Sequence, residues 1–181
     1  AFADATLALK NEHKLTPADI KSMTARIHED QSNVVCEPEV NKMRPQNAYD
    51  AQFSVHYIMS ASMSRGQFTL DELEDDALQD QTILDLCSKS GYEIDPESAY
   101  PTYYSGEVVI ETNDGRRLAH REAINRGSAD NPVSPADIEA KFFANATRTV
   151  ERAQAERVMD AVMSLESHGS LDVLADTLVK S

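Results

Sequence analysis

An α+β fold is predicted: an antiparallel sheet with a central hairpin, and helices packed on it in two layers. Three observations predict it. Between Ile20 and Glu29, Met23, Ala25 and Ile27 alternate with Thr24, Arg26 and His28, the period of a half-buried strand. Around Asn113-Asp114-Gly115, apolar residues alternate on both sides of a turn signal. Over residues 47–64, apolar residues recur at helical spacing on two stripes, which implies a helix buried on more than one side.

The elements follow in chain order. Residues 3–13 place Ala3, Leu7 and Ala8 on one helical face, with Asp4 near the N-terminus. Thr16-Pro17-Ala18-Asp19 is a helix start, with a hydroxyl cap, Pro at the first position and an acid three residues after the cap. The strand follows. Residues 30–46 are polar, contain Pro38 and Pro45, and read as a loop. In the 47–64 helix, Ala51, Val55, Ile58 and Ser62 form one stripe, and Phe53, Tyr57 and Ala61 the other. Arg65-Gly66 ends it, a cation in the last turn before a left-handed stop.

Thr69 to Lys89 reads as two short acidic helices, with Leu70, Leu73, Leu78, Ile83, Leu84 and Leu86 inward. Gly91 to Tyr104 is a loop or edge strand carrying four of the six tyrosines. In the hairpin, a three-residue turn with Gly115 left-handed sets Ile110 opposite Leu118 and Val108 opposite His120. This register is preferred because it pairs large apolar residues on one face. After a loop at 127–133, Ser134-Pro135-Ala136-Asp137 repeats the cap signal and opens a helix with Ile138, Phe142 and Phe143. Residues 150–166 continue as a helix with Val158, Ala161, Val162 and Leu165 on one face, and a last helix spans about 170–180.

Composition narrows the function. The 181 residues carry a net charge of -14, so no basic stripe exists to displace counterions from nucleic acid. An anion site must therefore be local, built from a few Lys, Arg, His or Tyr side chains. No apolar run reaches the ~20 residues that span a bilayer, so no membrane partner is expected. Cys36 and Cys87 are isolated, which fits a reducing cytoplasm. His13, His28, His120 and His168 are scattered without ligand spacing, so no metal or other cofactor is expected. Asp71, Glu72, Glu74, Asp75 and Asp76 lack calcium-loop spacing and read as a solvated helix face. Nucleophile elbows and glycine-rich phosphate loops are absent.

Two blocks, in order, carry a family resemblance. The first is Arg44-Pro45 followed by Asp50-Ala51-Gln52-Phe53-Ser54-Val55-His56-Tyr57. The second is Asn113-Asp114-Gly115, Gly127, Asn131-Pro132-Val133-Ser134 and Lys141-Phe142. Together they resemble the C-terminal half of the MmgE/PrpD family, which includes 2-methylcitrate dehydratase, cis-aconitate decarboxylase and an iminodisuccinate epimerase. The likeness fades after about Arg148, so residues 1–148 are read as the α+β lid domain and 149–181 as its helical extension. Family members are about twice this long, as two domains would require. The resemblance thus implies a partner N-terminal helical domain, a small polycarboxylate substrate and a homodimer of the full-length enzyme. The missing initiator Met agrees with a fragment.

The resemblance also points to site residues. Tyr57 matches the site-lining tyrosine of the Phe-Ser-x-x-Tyr segment, where a phenol can bond a carboxylate or assist proton transfer. On the residues alone, a core tyrosine bonded to backbone is the commoner reading. Lys42 and Arg44 precede that helix as substrate-binding candidates, Arg44 as a bidentate carboxylate clamp; a solvated loop cation is the plain alternative. His56, about 100° round the helix from Tyr57, is expected at the surface or against a partner. The expected role is to close over the site of a lyase, a dehydratase first and a decarboxylase or epimerase as alternatives. The isolated chain is expected to be inactive, because the family's other acids and bases lie in the helical domain. A non-catalytic interaction module with the lid fold is the reading from another class.

Overall fold

The computed structural model describes residues 1–178. It divides into two compact units, Ala1–Pro132 and Val133–Ser181.

In the first unit, α1 (Phe2–His13) ends at Lys14, whose backbone is left-handed. The Thr16 start signal closes a single 3-10 turn, Pro17–Asp19, in which the Asp19 carboxylate accepts from the Thr16 N–H and hydroxyl. Strand β1 (Ile20–Ile27) follows at once. The period change thus overrides the cap, and Ile20, Met23, Ala25 and Ile27 are buried while the residues between them are not.

Residues 30–46, expected as a loop, contain α2 (Glu29–Val35) and α3 (Glu39–Met43). Helix α2 is capped by a side chain the sequence pattern did not flag, the His28 ring accepting from Asp30 N–H at 3.1 Å. The expected 47–64 helix is interrupted. Helix α4 (Ala48–Gln52) stops at Phe53, and α5 (Val55–Arg65) starts afresh because the Ser54 hydroxyl accepts the Tyr57 N–H at 3.1 Å as a new cap. Gly66, with φ of 74°, closes α5 as read. The break changes the stripes. Val55, Met59 and Met63 face the sheet cluster with Ala5, Leu9, Met23, Ile27 and Ile110. Tyr57 and Ala61 face a second cluster with Ala51, Ala77, Leu78, Ile83 and Cys87. Phe53 is left 37% exposed and stacks on Tyr49, with centroids 4.9 Å apart, rather than one turn from Tyr57.

Residues 71–73 form a 3-10 turn, followed by α6 (Asp75–Leu78) and α7 (Gln81–Cys87). Then come β2 (Ser90–Ile94), β3 (Gly106–Thr112) and β4 (Arg117–Glu122). The sheet order is β2-β1-β3-β4. The hairpin has the predicted register, Ile110 opposite Leu118 and Val108 opposite His120, with Gly115 at φ 88°. β3 pairs antiparallel to β1, as expected, but the edge strand β2 runs parallel to β1, so the sheet is mixed. Asn113 in the turn donates its N–H to Asp19 O and its amide to Ala18 O, pinning the hairpin to the 3-10 turn. On the face away from α5, Arg26 and Arg121 share Glu107 at 2.7 and 3.0 Å. Both also reach Asp95, which is 1% exposed.

In the second unit, the Ser134 hydroxyl accepts Asp137 N–H and opens α8 (Pro135–Ala146), as read. The next helix, α9 (Arg152–Met163), starts two residues later than expected and buries Ala155 and Ala161; Val162 is exposed. α10 (Asp172–Leu178) follows, and residues 179 and 180 of the expected last helix lie outside the described residues.

Candidate functional site

The segment from Glu37 to Asp50 forms a groove of about 460 Å³ lined by Glu37, Asn41, Lys42, Arg44, Gln46 and Asp50. Three short-range devices shape it. Asn47 caps α4 by accepting Asp50 N–H at 2.9 Å, and its amide holds the Asp50 carboxylate. Gln46 donates to Arg44 O at 2.8 Å. Ser54, while capping α5, donates its hydroxyl proton to Lys42 O. One hydroxyl therefore joins the groove-forming loop to the first turn of the buried helix.

Both predicted cations lie in this groove. Lys42 Nζ donates to Phe53 O at 2.7 Å, which leaves two of its three protons for a ligand. The Arg44 guanidinium is exposed and has no hydrogen bond or ion pair among the described residues, so its donor fork is open. Acids balance the cations. Asp50 is held as above, and Glu37 accepts the Tyr92 hydroxyl at 2.6 Å and Glu39 N–H at 3.1 Å. That hydrogen bond to Glu37, with burial second, pushes the Tyr92 phenol up to about 12. Nothing in the sequence pairs Tyr92 with Glu37, fifty-five positions apart.

Tyr57 does not join Lys42 and Arg44 in the groove. Its ring is fully buried, edge-on to Phe68, and its hydroxyl donates to Glu72 O at 2.7 Å. Burial pushes its phenol well above the ordinary value, so it stays protonated. Glu72 itself is buried, against the expectation of a solvated acidic face. Its carboxylate accepts Thr69 N–H at 2.7 Å, Thr69 Oγ1 at 3.0 Å and Gln67 Nε2 at 2.9 Å, which compensates its desolvation.

His56 is also buried, not at the surface, because α5 is enclosed on both sides. Ser90 Oγ donates to Cys87 O at 2.7 Å and so accepts from His56 Nδ1–H at 2.8 Å. Nε2 is left as a buried acceptor without a partner. Burial depresses the ring to about 4, so it is neutral near pH 7. Burial likewise raises Cys36 to about 12 and Cys87 to about 11, which removes both thiols as nucleophiles. Among the described residues no three His, Cys, Asp or Glu side chains gather as a metal site, and no helix is long and apolar enough to cross a membrane.

The groove thus sets two cations, Lys42 and Arg44, beside two carboxylates, Glu37 and Asp50. The model of the MmgE/PrpD C-terminal domain matches residues 1–166. The chain belongs to the MmgE/PrpD family. It is similar to cis-aconitate decarboxylases of Mus musculus, 28% identical over 184 residues, and of Homo sapiens, 27% over 185. These alignments cover 97% and 98% of the chain but 36% and 37% of the relatives. A cis-aconitate decarboxylase-like protein of Aspergillus oryzae is 28% identical over 132 residues, 72% of the chain and 27% of that protein. The chain therefore spans about a third of the length of these relatives, less than the half expected.

Proposed function

We propose that this family member works as the C-terminal lid of a longer lyase, closing over a small polycarboxylate and holding one carboxylate with Arg44 and Lys42. The observation that carries the reading is the open guanidinium of Arg44 in a groove already shared with Lys42. Losing water or CO2 beside a carboxylate builds negative charge next to an existing anion, and a bidentate cation stabilises it. The decarboxylase reading is placed ahead of the dehydratase reading because all three relatives carry cis-aconitate decarboxylase names.

Tyr57 has a narrower part in this proposal. Its N–H holds Ser54 Oγ, and Ser54 holds Lys42 O, so the Phe-Ser-x-x-Tyr segment positions the cationic loop. A direct role for the phenol requires it to leave Glu72 O when the lid closes. The test is kinetic, in the complete gene product. Arg44→Gln is expected to lower kcat/KM for cis-aconitate, followed by CO2 release, about ten- to hundredfold, the worth of a charged hydrogen-bonded pair. An unchanged kcat/KM removes Arg44 from the site. Faster turnover of 2-methylcitrate than of cis-aconitate restores the dehydratase.

A further inference from the structure

In the groove of residues 37–50 the cations have a ready use and the acids do not. Lys42 and Arg44 share the lining with Glu37 and Asp50, so its formal charges cancel. A groove that only attracted a polycarboxylate would leave acids out, because a like charge beside the ligand weakens binding. Both acids are instead held in place. Asp50 has a local explanation: its carboxylate accepts Asn47 Nδ2 at 2.9 Å and Gln46 N–H at 3.4 Å, in the turn that starts α4.

Glu37 is held from two sides. Its Oε2 accepts Glu39 N–H at 3.1 Å where α3 starts, and its Oε1 accepts the Tyr92 hydroxyl at 2.6 Å from β2. Tyr92 is a lasting donor, because that bond, with burial second, pushes its phenol up to about 12 and keeps it protonated. Its ring lies edge-on to the buried His56, with centroids 6.4 Å apart, so the donor hangs from the packed interior. Lys42 is tethered too, through Phe53 O, which leaves Arg44 as the groove ion free to follow a ligand among the described residues.

We propose that Glu37 is the specificity-determining residue of this groove and that Tyr92 is its positioning residue. Glu37 admits the one carboxylate that stands farthest from the other negative charges of the substrate, and turns the rest of the molecule outward. The inference rests on the lid reading above and adds the orientation of the substrate to it. Arg44 and Lys42 attract any carboxylate. A carboxylate pinned by Tyr92 cannot retreat from a second anion, so a ligand with crowded charges meets a repulsion that an extended one avoids.

Calorimetric titration of the complete gene product with malonate and with glutarate, near neutral pH and at one ionic strength, reads this preference. Both acids are dianions, with one carbon between the carboxylates of malonate and three between those of glutarate. Glutarate is expected to bind about tenfold more tightly than malonate. Glu37→Gln should bring the two within about twofold of each other, by strengthening malonate. Tyr92→Phe keeps the ring against His56 and releases the carboxylate, so it should close part of the gap; a merely structural bond would lower the melting temperature and leave the ratio as it was. Arg44→Gln should weaken both acids alike. Equal binding of the two acids by the unaltered protein, or a ratio that survives Glu37→Gln, overturns the proposal, while an Arg44 effect beside it keeps the lid reading. Binding of neither acid, or of both without regard to Arg44, removes the groove as an anion site and refutes the lid reading and the proposal together.

Discussion

Tyr57→Phe removes one oxygen from the centre of the second core cluster. The phenol donates to Glu72 O at 2.7 Å in a fully buried place, so the variant loses that bond and strands a buried carbonyl. A lost hydrogen bond together with an unsatisfied buried acceptor costs about 1.5–3 kcal/mol. The ring stays against Phe68, so no cavity contribution adds to this. For a chain of this size a loss of 1 kcal/mol lowers Tm by about 2–4 °C, which puts the fall near 3–12 °C. Urea unfolding is the assay, followed by circular dichroism because the chain has no tryptophan. The midpoint should move while the denaturant slope does not. In the complete gene product kcat/KM should change less than about threefold, whereas a phenol acting on the transition state would be worth about 2.7–4 kcal/mol. An unmoved midpoint refutes the argument, because the hydroxyl would then not be committed to Glu72.

The other predictions are independent of this one. The ring of His56 sits near 4 when folded and near the ordinary 6.5 when unfolded, so the unfolded chain binds the extra proton between those values. Stability from this group is therefore full above about pH 6.5 and falls by about 2–3 kcal/mol as pH drops toward 4. Unfolding free energies from pH 7 to 4.5 should show this slope, and His56→Gln should remove it; an equal slope in both proteins contradicts the assignment. Gly106→Ala places a Cβ 2.6 Å from the Phe2 ring, so α1 or the ring must shift. A loss of about 1–3 kcal/mol is expected by calorimetry, and the double change Phe2→Ala with Gly106→Ala should recover part of it.

The local rules of the chain were readable, and the non-local ones were not. β1 and the hairpin register follow from alternation and from the one turn geometry that pairs Ile110 with Leu118. The parallel pairing of β2 joins segments about seventy residues apart, and its run of only five residues, with Tyr92 and Ile94 as its large apolar members, is too short to show that pairing. Ser54 sits in the segment expected as one continuous helix, although its hydroxyl is what divides α4 from α5. The burial of His56 and Glu72 depends on Ser90 and on Thr69 and Gln67, partners whose closeness only the fold creates. That Lys42 and Arg44 come close together was legible from their place two positions apart before the helix. Their separation from the Tyr57 hydroxyl was not, since it follows from the direction in which α5 faces.

The double use of Ser54 sets how this surface can change over evolutionary time. The segment carrying Lys42, in α3, and Arg44, just after it, is tied to α5 through this hydroxyl and through the Lys42–Phe53 contact. The two apolar clusters that flank α5 include none of the loop's charged residues. Substitutions at the exposed positions among residues 37–50 therefore reach the groove without touching either cluster, whereas Met43, packed against the second, is held by the core. Such a rim can vary in sequence at its exposed positions while the core beneath it stays the same.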